Sequence, residues 1–302
     1  MNTAESLALK NPDKTAVVIA ETGEAITHRA LQERSHRLAA HLIDQLAEAE
    51  VIAVLLSNRI EYFEVCLAAR RAGLYYVPVS THLSAAELAY ILQDSGARVL
   101  VTELSYQPLL DALEPAVLDG LTLLRVDGLE TKAAASYAQL VGEGPLPALA
   151  PRGFGLDFAY SSGTTGRPKG IRHDMRSEQV AAAVQTAGWT SFFQLDQDSV
   201  YLSPAPLYHA APLRFSLRCL GQGGTVVSMR KFDAEGALRA IASHRVTHSQ
   251  WVPTMFVRLL ALPPEARQRH ELSSHRMALH AAAPCPIDVK QAMLDWWGPI
   301  VW

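Results

Sequence analysis

The run Tyr160-Ser161-Ser162-Gly163-Thr164-Thr165-Gly166-Arg167-Pro168-Lys169-Gly170 combines four aliphatic hydroxyls, three glycines and two cations, with no carboxylate between them. Glycines admit close backbone approach, hydroxyls and amides donate hydrogen bonds, and cations oppose phosphate charge. Such a loop suits a polyphosphate. It is not the common P-loop, which needs four residues between its first glycine and a Gly-Lys pair followed by Ser or Thr. Here Pro168 separates Arg167 from Lys169, and Gly170 stands where a magnesium-binding hydroxyl would be. A bland polar turn is the competing reading, but it gives no reason for two cations beside so many donors.

Three further segments could do chemistry. Pro204-Ala205-Pro206-Leu207-Tyr208-His209 is a proline-stiffened turn presenting a phenol and an imidazole. His248 to Phe256 offers Trp251 as a large apolar face, either on a ligand wall or in a core. Ala281-Ala282-Ala283-Pro284-Cys285-Pro286 is a small-residue loop against which a planar base could lie.

These segments need strands and helices to hold them. Ala16–Ala20, Val51–Leu56, Tyr75–Val79 and Arg98–Thr102 read as short apolar strands. Helices are predicted from about Arg29 to Asp44, capped by Thr27, and from Glu61 to Ala72. Another starts at Ser84, where Glu87 completes a capping box. Residues 103–150 are less regular. The alternation resumes with a strand at Phe154–Tyr160, a helix at Gln179–Thr190, and strands near 199–202, 225–229, 247–252 and 277–281. Helices at 213–220, 234–244, 254–262 and 288–297 lie among and after those strands, with Asp233 as a cap. Repeated strand-helix units with short links imply a mostly parallel sheet covered by helices. The fold class is therefore α/β, and two doubly wound subdomains suit the pattern better than one barrel. The division expected is 1–153 and 154–302, with exchange of chain between the lobes allowed.

Taken together, these segments resemble the AMP-forming acyl-CoA synthetases of the adenylate-forming superfamily, most nearly the bacterial fatty-acyl-CoA synthetases. The phosphate run carries the resemblance, in order with Gly73–Val79, Pro206–Pro212, His248–Phe256 and Ala281–Pro286. The resemblance implies two stacked, mostly parallel lobes of the N-terminal-domain type. It also implies a chemistry: a carboxylate attacks the α-phosphorus of ATP to give acyl-AMP and pyrophosphate, and CoA then displaces AMP. ATP, Mg2+ and CoA are the implied cofactor and co-substrates. Ser161, Ser162, Gly163, Thr164, Thr165, Gly166, Arg167 and Lys169 would hold the polyphosphate, and Ala281, Ala282, Ala283 and Pro284 the adenine. Tyr208, His209 and Trp251 would line the acid site. Lys169 and His209 are the catalytic candidates, His209 as an orienting group, because a carboxylic acid is already ionised near neutral pH and needs no base. In the run His248–Phe256 no charged residue announces a polar amino-acid substrate, so a hydrophobic, fatty acid is favoured. The family's Tyr-Gly-x-Thr-Glu motif, ribose-binding aspartate and lysine-bearing C-terminal lid domain are not found before Trp302. The chain alone is therefore expected to be nearly inactive. Transfer to a carrier-protein thiol and a silent nucleotide- or acyl-binding module are the alternatives.

Composition bounds the rest. Twenty-seven basic and 30 acidic residues leave a net charge of −3, and no basic arm interleaves with aromatics, which argues against nucleic acid. Nearly half the residues (49%) are hydrophobic, enough for a substantial core. No signal peptide or transmembrane segment is read. Cys66, Cys219 and Cys285 are scattered, as buried thiols of a reducing, cytoplasmic protein would be, and no Cys-His cluster has metal-site spacing. Surface meant for a missing domain favours self-association, so a homodimer is carried as an expectation.

Overall fold

The computed structural model describes residues 10–128, 136–161, 167–175 and 192–302. Twelve strands are distinguished among these residues: β1 Thr15–Ile19, β2 Ala25–Thr27, β3 Val51–Leu55, β4 Tyr75–Pro78, β5 Ala97–Thr102, β6 Thr122–Arg125, β7 Ala159–Ser161, β8 Lys169–Ile171, β9 Val200–Ser203, β10 Thr225–Ser228, β11 His248–Trp251 and β12 Met277–His280. They form a six-stranded sheet in the order β12-β11-β9-β10-β1-β2, a four-stranded sheet in the order β4-β3-β5-β6, and the hairpin β7-β8. Among the described residues the two larger sheets are parallel throughout, except where β2 returns antiparallel to β1. The expected α/β class is what forms.

Period-two alternation explains how the sheets stack. Val17 and Ile19 of β1, Tyr201 of β9 and Val226 of β10 share one buried cluster with Ile52 and Val54 of β3 and with Val99 and Val101 of β5. Between the sheets, and part of that cluster, lie residues of the helices His28–Gln45, Ile60–Arg71 and Ala210–Gly221. The intervening residues point the other way. Val18, Leu202 and Val227 pack under the helices Ala234–His244, Pro253–Leu260 and Ile287–Trp297. Ala53, Leu55 and Leu100 pack under the helix Ala85–Ser95. The result is five layers, with helices inside and outside two parallel sheets.

Local signals form as the sequence predicts. Thr27 Oγ1 accepts from Ala30 N at 3.2 Å, and Asp233 Oδ2 accepts from Gly236 N at 2.6 Å. Ser84 and Glu87 make the reciprocal capping box. Leu31, Ser35, Leu38 and Leu42 all lie on the buried face of their helix. The helix predicted at Gln179–Thr190 lies outside the described residues.

The chain crosses between the two sheets. β1 and β2 come from the first half of the chain but belong to the sheet of the second, with Val17 opposite Val226 and Val18 opposite Val227. Thr225 Oγ1 donates to Thr15 O at 2.7 Å, and His28 Nε2 lies 3.0 Å from Gly224 O. Conversely, residues 154–158 lie against the first sheet, where Phe158 N donates to Tyr76 O at 2.8 Å. A cut at 153 therefore parts β1 and β2 from the six-stranded sheet they belong to.

Candidate functional site

The phosphate-loop segment is built on that added edge. Leu156 O accepts from Tyr76 N at 3.0 Å, and Gly155 N donates to Arg70 O at 2.9 Å. Only glycine fits at 155, because a Cβ would stand 2.3 Å from Leu74 O and 2.4 Å from Ala69 O. The chain then turns away as β7 and returns as β8, with Tyr160 opposite Gly170 and Ser161 opposite Lys169. The sequence reading had a strand running through a loop towards a helix; the structure makes the cationic arm of the loop an antiparallel partner of the incoming strand. Ser162, Gly163, Thr164, Thr165 and Gly166 lie outside the described residues. Ser161, Arg167 and Lys169 flank them and are exposed.

The base of this hairpin is well anchored. Tyr160 OH donates to Asp94 Oδ2 at 2.6 Å, Tyr90 OH donates to Pro168 O at 3.2 Å, and the Arg167 guanidinium lies 5.5 Å from the Tyr90 ring centre. Phe158 stacks on Tyr160 with centroids 5.3 Å apart. Gly170 faces these rings, and a Cβ there would come within 2.6 Å of Phe158. Gly170 is thus a packing requirement as well as a member of the loop. Burial, reinforced by the Asp94 carboxylate, pushes the Tyr160 hydroxyl's pKa up, so it stays a donor.

The second element leaves the carboxyl end of β9. His209 N donates to Pro206 O at 3.2 Å, closing the turn, and His209 occupies the N-cap of the helix Ala210–Gly221 without a capping bond from its side chain. Its imidazole lies 4.5 Å from the Tyr208 ring, centre to centre, and the His82 ring lies 6.3 Å from the Tyr208 ring. Loss of solvation on burial, and then the neighbouring His82, lower the His209 pKa, which favours the neutral imidazole. A neutral imidazole both donates and accepts, which suits orientation. The sequence reading missed His82; its only signal was a place just beyond the carboxyl end of β4. It also missed Asn58, which lies beyond β3 and bonds to the turn before Tyr208.

Trp251 lies in the core. It is 0% exposed, enclosed by Phe232, Phe256 and Trp297 at centroid distances of 6.3, 6.1 and 5.4 Å. Its indole Nε1 donates to Ser249 Oγ at 2.5 Å. Its ring and its N–H are both spent on the interior. Its backbone supports the loop that begins at Ala281: Ala281 N donates to Trp251 O at 3.1 Å.

That loop leaves the carboxyl end of β12, and Ala282, Ala283 and Pro284 are exposed. Ala282 has φ +75°, in the left-handed region, at a cost of about 1 kcal/mol for a residue with a Cβ. β11 alone separates β12 from β9, so the two loops emerge about 10 Å apart at the strand spacing of a sheet. They share the carboxyl edge, where open parallel sheets place their ligands. Among the described residues no group of three His, Cys, Asp or Glu side chains could hold a metal ion. No helix of the described residues is long and apolar enough to cross a membrane.

Known proteins resemble the chain over nearly its whole length. It is 35% identical over 298 residues to a feruloyl-CoA synthase of Amycolatopsis sp, covering 95% of this chain and 55% of that protein. It is 28% identical over 281 residues to a long-chain-fatty-acid–CoA ligase of Mycobacterium tuberculosis, covering 92% of this chain and 54% of that one. The inhibitor-bound N-terminal domain of FACL13 from Mycobacterium tuberculosis superposes with a TM-score of 0.79 at 25% identity, over 98% of this chain and 73% of that one. The chain spans about half the length of the curated relatives it matches. The family model described as AMP-binding enzyme matches residues 5–302, and this chain belongs to the AMP-binding enzyme family.

Proposed function

We propose that this chain is the ATP- and acid-binding part of a CoA ligase that activates a hydrophobic carboxylic acid. The carboxylate oxygen attacks the α-phosphorus of ATP, the bond to the bridging oxygen breaks, and acyl-AMP and pyrophosphate result. The CoA thiol then displaces AMP. Arg167 and Lys169, with the loop from Ser161 to Gly166, take the polyphosphate. Tyr208 and His209 orient the carboxylate, and Ala281 to Pro284 take the adenine. Mg2+ would neutralise phosphate charge when bound. The described residues offer no carboxylate set for it, so no step is derived through it.

The observation that carries this reading is the shared carboxyl edge: the His209 turn after β9 and the Ala281 loop after β12 leave one parallel sheet on the same side. A feruloyl-CoA synthase and a fatty-acid–CoA ligase among the relatives both act, by name, on acids with a large apolar body, which supports that substrate class here. Buried, unbridged Cys66 and Cys219 support work in the cytoplasm. A homodimer is the assembly we expect, to be read by light scattering.

ATP–pyrophosphate exchange is the direct test, run with ferulate and with a long-chain fatty acid on this chain and on a longer protein containing it. Acid-dependent exchange in the longer protein supports the reading. Exchange there that ignores the acid, or binding of ATP without any exchange, points instead to a silent nucleotide-binding module. Replacing CoA by a carrier-protein thiol in the second step decides the acceptor.

A further inference from the structure

We propose that Asn58 is a positioning residue for the acid site, holding the Tyr208-His209 pair in place from the opposite lobe; this rests on the proposed role of His209. Asn58 follows β3 of the four-stranded sheet and is 5% exposed. Its side chain makes three bonds, all to the other sheet. Nδ2 donates to Ala205 O at 3.0 Å and to Met229 O at 2.7 Å, and Oδ1 accepts from Leu207 N at 2.8 Å. One orientation of the amide satisfies two carbonyls and one N–H, so a flip would break all three.

The partners say what is being held. Ala205 and Leu207 belong to the turn after β9, and Leu207 directly precedes Tyr208. Met229 is the first residue after β10. A single amide therefore ties together the carboxyl ends of β3, β9 and β10. His82, from the loop after β4 in Asn58's own sheet, meets Tyr208 edge-on at 6.3 Å. The His209 side chain makes no capping bond of its own, so its direction depends on the turn beneath it. Moving that turn by about 1 Å is enough to misplace a reacting group.

Calorimetry on the full chain tests this with two probes: a hydrolysis-resistant feruloyl-sulfamoyl adenosine, and ATP alone. The imidazole 1H–15N spectrum of His209 provides a readout that needs no ligand. Asn58→Ala is expected to weaken the acyl probe about 10-fold or more while ATP alone changes by less than about 2-fold. The Asn58→Ala/His209→Ala double variant is expected to bind within about 2-fold of His209→Ala, because the two act through one element. The His209 signals should shift in Asn58→Ala. Additive losses, or a His209 spectrum identical to the parent's, would overturn the proposal. Should Asn58→Ala not fold, Asn58→Asp keeps the volume and the Oδ1 acceptor, removes both donors, and is read in the same way. If His209→Ala leaves the acyl probe's affinity unchanged, the acid-site reading fails instead, while the His209 spectrum still reports whether Asn58 holds the turn.

Discussion

Lys169 and Trp251 show how differently two side chains singled out for a site can be used. Lys169 is exposed beside the loop. Lys169→Ala is therefore expected to leave the melting temperature unchanged and to weaken ATP about 10-fold or more, the loss of one charge-assisted bond. Titration of ATP against the folded variant checks this; equal weakening of ATP and of the acid would remove Lys169 from the phosphate site. Trp251 is fully buried among aromatic rings. Trp251→Ala is expected to cost about 3–5 kcal/mol by urea unfolding, the penalty of a large core cavity. A loss below about 1 kcal/mol, with altered acid preference, would return Trp251 to the substrate wall.

At the scale of elements, the hairpin depends on how residues 154–158 lie against the first sheet. Gly155 sits against the backbone carbonyls of Leu74 and Ala69, which cannot rotate away from an added methyl. Gly155→Ala is expected to cost about 2 kcal/mol or more, as overpacking against backbone does. The loss should appear first as faster amide exchange at Tyr76 and Phe158, whose bonds dock this segment. Uniformly unchanged exchange would mean that the hairpin is held by its contacts to Tyr90 and Asp94 alone. The pair Arg214–Asp157, at 2.7 Å, ties the same segment to the helix that begins after His209. Hairpin and His209 turn thus share a support.

The whole molecule carries several buried neutral histidines. His28, His248 and His275 are each almost fully buried, and burial is the main cause of the lowered pKa in all three. His275, which also feels His248, is lowered to about 3 from 6.5. Below pH 6.5 the unfolded chain binds protons that the folded chain refuses, so stability is complete above that pH and falls as pH drops towards 3. For His275 the slope is about 1.4 kcal/mol per pH unit between those values. Urea unfolding at pH 7, 6 and 5 should show a declining free energy. His275→Asn should lie lower at pH 7, since Ser249 Oγ loses a partner at 2.7 Å, but decline less steeply. Parallel curves for parent and variant would show that His275 is protonated in the folded protein.

The caps at Thr27, Ser84 and Asp233 were legible in the sequence because each depends on residues three positions away. So were the α/β class and the loops at strand ends, which follow from short apolar runs and turn chemistry. The sequence by itself also determined which residue types could meet a polyphosphate, because glycines, hydroxyls and cations lie side by side between 161 and 170. Only the tertiary structure decided the rest. The pairing of β1 with β10 joins residues some 200 positions apart, and no local pattern encodes a partner at that distance. The burial of Trp251, the meeting of His82 with Tyr208 and the three bonds of Asn58 are likewise products of packing one sheet's loops against the other's. A strand's alternation tells which side chains must be covered; what covers them is chosen by the fold as a whole, where buried polar groups must find partners and side chains must fill space.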